Sequence, residues 1–168
     1  MPIHAALGVL WSSANAEEQM KTADICNAEV VTVGTHDSLR DAAALMRQHH
    51  VGDVVVVDRS GGYLAPLGIL TDRDIVVEVV AEGVELDDVT VGDAMTGELI
   101  TAGEDDELLS TLERMREHAV RRLPVINDKG VLVGIVTLDD IIGLLAKQLT
   151  EVWALIVRER RHEVELRG

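Results

Sequence analysis

The sequence predicts an α/β fold in which one β-α-β-β-α unit is used twice, and three observations predict it. The first is internal repetition. Gly68-Ile-Leu-Thr-Asp-Arg-Asp-Ile75 returns as Gly134-Ile-Val-Thr-Leu-Asp-Asp-Ile141, 66 residues on. Upstream, Asp37, Leu39, Met46, Arg47, His49 and Val51 return as Asp106, Leu108, Met115, Arg116, His118 and Val120, 69 residues on. Asp24, Glu29, Thr32 and Gly34 return as Asp93, Glu98, Thr101 and Gly103 at the same spacing. The second is composition. The 168 residues are 47% hydrophobic yet hold no Phe, one Tyr and two Trp. A core of Val, Ile, Leu and Ala suits buried strands covered by helices. The third is turn chemistry, with Ser60-Gly61-Gly62 and Asp128-Lys129-Gly130 each set between apolar runs, as hairpins require.

The elements follow in order. Val30–Val33 and Leu99–Ala102 are short strands. Leu39, Ala42, Ala43 and Met46 recur at helical spacing, as do Leu108, Leu112, Met115 and Ala119. Val54–Val57 and Leu123–Ile126 read as buried strands, and the hairpins lead into third strands at Pro66–Leu70 and Val131–Val136. Helices open at Thr71 and Thr137. The change of offset from 69 to 66 falls in the hairpin loops, which absorb length while strands keep register.

The expected organisation is an N-terminal appendage (1–19), a first repeat (20–83), a linker (84–90), a second repeat (91–150) and a C-terminal helical extension (151–168). The first repeat's last helix ends at Gly83. The second runs on, with Ile141, Leu144, Leu145, Leu149, Val152, Trp153 and Ile156 along one face. That face is expected either to meet a partner helix from another copy or to fold back on its own repeats. The charged tail Arg158–Gly168 is expected to fray.

Charge narrows the function. Fifteen basic against thirty acidic residues leave a formal charge of −15, which repels phosphate backbones and anionic lipid. Nucleic acid and membrane are therefore not expected partners. Cys26 is the single cysteine, so no internal disulfide or thiolate cluster can form. A reducing compartment fits, no membrane-spanning run or signal peptide is evident, and a cytoplasmic location is expected.

The chemistry concentrates at the doubled strand-to-helix corner, Gly-x-x-Thr-x-x-Asp. Unpaired N–H groups at such a corner can receive an anion, with the Thr71 or Thr137 hydroxyl donating alongside. Asp74 and Asp140, one turn on, can accept from the vicinal hydroxyls of a ribose. The same spacing also makes a capping box, in which both side chains satisfy backbone donors. The corner residues alone leave both readings open. Asp72, Asp74, Asp139 and Asp140 do not make a metal site by themselves, because adjacent helical residues point apart. A Mg²⁺ ion enters only as a companion of phosphate.

The duplicated unit, its GILTDRD and GIVTLDD corners and the Arg121-Arg122-Leu123-Pro124-Val125 strand together resemble a tandem pair of cystathionine-β-synthase-type (CBS) domains, the Bateman module. The resemblance covers about residues 20–150. It implies two repeats related by a pseudo-two-fold, with a cleft between them for an adenosine-containing ligand such as AMP, ADP or ATP. It also implies a homodimer and a regulatory rather than enzymatic role. The positions it carries over as ligand contacts are Thr71, Asp74, Thr137, Asp140, Arg121, Arg122, Thr32 and Thr101.

The two clefts should differ, because Arg121 and Arg122 stand where the first repeat has Gly52 and Asp53. The expectation is that these arginines serve the Thr137/Asp140 corner. The expected function is a regulatory sensor that signals to an effector protein; the alternative is a ligand-free homodimeric interaction scaffold. Neither the ligand nor the effector is named by the sequence.

Overall fold

The computed structural model describes the backbone of residues 20–167 and the side chains of residues 20–159; the expected appendage, 1–19, lies outside the described residues. A 3-10 turn (Thr22–Asp24) leads into β1 (Thr32–Val33), α1 (Leu39–His49), β2 (Asp53–Asp58), β3 (Ala65–Thr71) and α2 (Asp72–Asp74), which passes into a π-helical stretch (Ile75–Val80). The second copy runs α3 (Val91–Ala94), β4 (Ala102–Gly103), α4 (Leu108–Glu117), β5 (Arg122–Ile126), β6 (Leu132–Thr137) and α5 (Leu138–Arg167). Among the described residues, no helix is long and apolar enough to cross a membrane.

Each copy builds its own three-stranded sheet, β1-β2-β3 and β4-β5-β6, the first pair parallel and the second antiparallel. Both hairpins shift register at equivalent places, between Val56 and Val57 and between Val125 and Ile126. Alternation along β2 separates two jobs. Val54 and Val56 enter the first core with Leu39, Met46 and Leu70. Val55 and Val57 face the opposite way and meet Leu132 and Ile135 of the other copy. The two sheets are thereby joined through an aliphatic seam.

Several elements depart from the sequence expectation. β1 and β4 are two residues each, because their lead-ins leave the ladder to reach the other copy. The helix after Thr71 becomes π-helical, with the Ala81 N–H reaching the Val76 carbonyl and the Val84 N–H reaching that of Val79. Five of its six residues, Ile75–Val80, are β-branched, which crowds an ordinary α-turn. Gly83 follows at φ 71°, where the helix was expected to end. At the far end the charged tail does not fray: α5 stays helical through Arg167.

The two copies exchange their leading segments. Val91 and Ala94 of α3 lie in the first copy's core, while Met20, Ile25 and Cys26 pack on the second's. The Asn27 and Ile135 backbones exchange hydrogen bonds of 2.8 and 2.9 Å, and the Thr96 N–H donates to the Ile69 carbonyl at 3.1 Å. Under the first of these covers, the Thr22 and Thr111 hydroxyls meet at 2.7 Å, fully buried. Their counterparts under the other cover are Val91 and Ala42, equally buried, so one cover is closed by a hydrogen bond and the other by aliphatic contact.

This close passage explains the glycine of the repeated corner. A Cβ on Gly68 would stand 2.9 Å from both the Thr96 carbonyl oxygen and Met95 Sδ. On Gly134 it would stand 2.7 Å from Cys26 Sγ and 3.1 Å from the Asn27 carbonyl oxygen. Burial at that contact pushes the Cys26 thiol above its ordinary value, which suits a small core residue.

Gly68→Ala is expected to lower the unfolding free energy by about 1–3 kcal/mol, since backbone must move to admit the methyl. Gly97→Ala, where the added Cβ meets nothing within 4 Å, should change it by less than about 0.5 kcal/mol. Urea midpoints at unchanged slope check both. The Thr90 hydroxyl and N–H both donate to Asp93, at 2.6 and 3.0 Å, and hold its carboxyl below the usual range. A depressed carboxyl contributes stability above its unfolded value and loses it as pH falls through the folded one. NMR titration should therefore place Asp93 below a free aspartate, and Thr90→Val should move it back up.

Candidate functional site

Two clefts open between the copies, and each takes its helix corner from one copy and its facing wall from the other. The larger, about 310 Å³, sets Thr71 and Arg73 of the first corner against Leu99, Ile100 and the Ala119–Leu123 segment, with Arg121 and Arg122 at its mouth. The smaller, about 150 Å³, sets Thr137 and Asp140 of the second corner against Glu29, Val30, Val31 and Asp53. Small-molecule sites commonly span about 300–1,000 Å³, so the larger cleft reaches that range and the smaller does not.

The grouping differs from the sequence expectation in one decisive respect. Arg121 and Arg122 do not serve Thr137 and Asp140; they line the cleft of Thr71. Arg122 is indeed the ladder neighbour of Thr137, and the Arg121 carbonyl accepts from the Leu138 N–H at 2.8 Å. Arg121 pairs with Asp139 of its own copy's corner and Arg122 reaches Asp53 across the pseudo-two-fold, so both stand between the two clefts rather than within that of Thr137. Thr32 and Thr101 line neither cleft. An Arg59 guanidinium N–H donates to the Thr32 hydroxyl at 3.1 Å, and the Thr101 carbonyl accepts from Arg114 at 2.7 Å. The walls are formed instead one or two residues earlier, by Val30 and Val31 and by Leu99 and Ile100. The matched pair Glu29 and Glu98, which flanks them, was the available signal.

Both corners are closed capping boxes. The Thr71 N–H and hydroxyl donate to Asp74 Oδ2 at 2.9 and 2.8 Å, and the Asp74 N–H donates back to Thr71 Oγ1 at 3.1 Å. The Asp72 N–H reaches the Gly52 carbonyl at 3.0 Å and the Arg73 N–H reaches Asp72 Oδ1 at 2.7 Å. Every backbone donor from residue 71 to 74 is thus occupied. Thr137 and Asp140 repeat the arrangement at 2.8, 2.6 and 3.2 Å. The expected bare N–H groups at the first corner are therefore absent. Charge for an anion must come from side chains. Asp74, which does not line the larger cleft, turns its Oδ2 back to the cap.

The side-chain charges are divided unequally. Arg73, Arg121 and Arg122 line the larger cleft with a single acid, Glu98. Glu29, Asp53 and Asp140 line the smaller, with no base. Where the clefts meet, the Arg122 guanidinium pairs with the Asp53 carboxylate, their side chains 31% and 13% exposed. These two occupy equivalent positions in the repeat, so the pair sits on the pseudo-two-fold. Burial pushes the Arg122 guanidinium below its ordinary value, opposed by the Asp139 charge, yet a guanidinium stays protonated at any working pH. Arg121 stands freer, 3.7 Å from Asp139 and largely exposed. Among the described residues, no three His, Cys, Asp or Glu side chains are grouped to hold a metal ion.

The chain has clear relatives. The family model described as "CBS domain" matches residues 23–81 and again 91–147. The uncharacterized protein MK0525 of Methanopyrus kandleri is 36% identical over 119 residues, which is 71% of this chain and 59% of that protein. The chain thus matches only part of that relative's length. Hypoxic response protein 1 of Mycobacterium tuberculosis is 40% identical over 118 residues, 70% of this chain and 80% of that one. A crystal structure of Hypoxic Response Protein I with two coordinated zinc ions superposes at a TM-score of 0.65 and 36% identity, over 73% of this chain and 97% of that. The CBS domain pair of protein MJ0100, crystallised with 5′-methylthioadenosine and S-adenosyl-L-methionine, superposes at 0.67 and 28% identity, over 77% and 98%.

Removing one member of the central ion pair should expose its worth. Arg122→Ala leaves a mostly buried carboxylate without its partner and is expected to destabilise by about 1–3 kcal/mol. Adding Asp53→Ala should restore part of that loss, giving a coupling above about 0.5 kcal/mol in a double-mutant cycle by urea unfolding.

Proposed function

Because the chain belongs to the CBS domain family, we propose that it is a cytoplasmic regulatory sensor that takes an adenosine-containing ligand in the larger cleft and reports its occupancy to a partner protein. The observation that carries this reading is a cavity lined by Arg73, Arg121 and Arg122 and walled by Ile69, Leu99, Ile100, Val120 and Leu123. Aliphatic walls accept a flat base, and guanidinium groups accept phosphate in charge-assisted pairs. The adenosyl ligands of the MJ0100 domain pair support the choice of ligand class. Thr71, Arg121 and Arg122 are the contacts we assign to phosphate, with Arg122 drawn from Asp53 as the ligand enters.

The smaller cleft is a poor phosphate site, since Glu29, Asp53 and Asp140 repel an anion there. Asp140 is kept only as an acceptor for the ribose hydroxyls of an uncharged nucleoside in that smaller cleft, not as a contact of the nucleotide in the larger one. A net charge of −15 favours a mono- or diphosphate, or a triphosphate accompanied by Mg²⁺. No side-chain constellation in the clefts supplies an activated nucleophile, so the module is read as regulatory and not as an enzyme. The closed capping boxes favour one second reading, a ligand-free homodimeric scaffold in which the corners serve stability alone.

A thermal-shift and calorimetry panel of AMP, ADP, ATP with and without Mg²⁺, and S-adenosylmethionine separates the two. A true ligand at a hundred times its Kd should add about 2.7 kcal/mol of stability. Arg121→Ala should weaken nucleotide binding by about tenfold or more through loss of one charge-assisted bond. Asp140→Ala should leave nucleotide affinity within about twofold, because it lines the other cleft. Absence of any shift across the panel would overturn the adenosyl-sensor reading and favour the scaffold.

A further inference from the structure

The ion pair on the pseudo-two-fold stands where an apolar pair would hold the fold as well. Asp53 lies in line with Val55 and Val57, on the face of β2 that meets the other copy through aliphatic contact. Its pair with Arg122 is the most buried ion pair among the described residues. Breaking such a pair is costly, yet the intact pair stabilises little more than well-packed apolar side chains of the same volume. Its placement points to another use. Asp53 is the ladder partner of Thr71 but lines the cleft of Thr137; Arg122 is the ladder partner of Thr137 but lines the cleft of Thr71. One ion pair thus spans both clefts, and the base in it is one of the three that give the larger cleft its charge.

We propose that the Asp53 carboxylate is an internal competitor for the larger cleft, standing in for a ligand's phosphate on Arg122 and so setting the charge that a ligand must carry. The inference rests on the sensor reading and deepens it. Asp53 touches no ligand; it is a positioning residue that acts through Arg122. A guanidinium presents a planar fork that a carboxylate or a phosphate fills in the same way. While Asp53 fills it, the larger cleft offers a ligand Arg73 and Arg121, set against Glu98. An uncharged nucleoside gains nothing by releasing Arg122. A phosphate of higher charge displaces the single carboxylate and gains a third guanidinium. The displaced carboxylate stays beside Glu29 and Asp140, with no base in that cleft to receive it. That repulsion opposes the displacement, so weakly charged ligands leave the pair closed.

Calorimetry on the full chain with adenosine, AMP and ADP tests this. Asp53→Asn keeps the shape of the side chain and removes its charge. It should tighten AMP and ADP by about tenfold, the scale of one hydrogen bond to a charged group, and should not tighten adenosine. In an Arg122→Gln background the same substitution should bring no gain, because no guanidinium is left to release. A second measurement needs no substitution at Asp53. The NMR signal of the Arg122 Nε–H in the wild-type chain should move when AMP binds and stay in place when adenosine binds. Equal nucleotide affinity with and without the Asp53 charge, or a gain that persists without Arg122, overturns the competitor and leaves the sensor reading standing. An Arg122 signal unmoved by bound AMP does the same. Nucleotide that binds neither the wild type nor Asp53→Asn overturns the sensor reading, and the competitor with it.

Discussion

The last strand of each repeat runs so near the backbone of the other repeat that no side chain fits between them. At Gly68 and Gly134 a single methyl group would collide with a carbonyl oxygen or a sulfur atom. That contact fixes how the sheets face, and the aliphatic seam of Val55, Val57 and Leu132 fills in behind it. The clefts are what remains at either side of this seam. Their walls come from both copies because the same contact that joins the copies also bounds the clefts.

Local regularities were legible in the sequence. The repeat offset located both sheets, both hairpins and both corners, since those elements are specified by alternation and turn chemistry within a few residues. What escaped was everything decided across the pseudo-two-fold. The cover formed by Val91 and Ala94 has no signature of its own, because its apolar side chains belong to the core of the other copy. Arg122 was matched to Thr137, its neighbour on the ladder, although it lines the opposite cleft and its side chain pairs with Asp53 across the axis. Strand register is a one-dimensional fact; the direction of a long side chain at a shared axis is not.

The corners carry a related lesson about counting donors. A strand-to-helix junction invites an anion only while its N–H groups lack partners. At the first corner each one is taken, by Asp74, Gly52, Asp72 or Thr71. The Thr-x-x-Asp pattern therefore secures the start of the helix, and what sets the two clefts apart is the arginines that vary between the copies.

The exchange of opposite charges at Asp53 and Arg122 has a wider consequence. The body is close to two-fold in shape, yet its potential has no such symmetry: the cleft on one side of the axis is basic and that on the other acidic. A duplicated scaffold with matched halves would present itself identically after a half-turn, and a docking surface could engage it in two equivalent poses. Here that degeneracy is lifted at three matched positions, where Arg121, Arg122 and Arg73 stand against Gly52, Asp53 and Asp139, so a charged visitor meets a molecule with a distinct front and back.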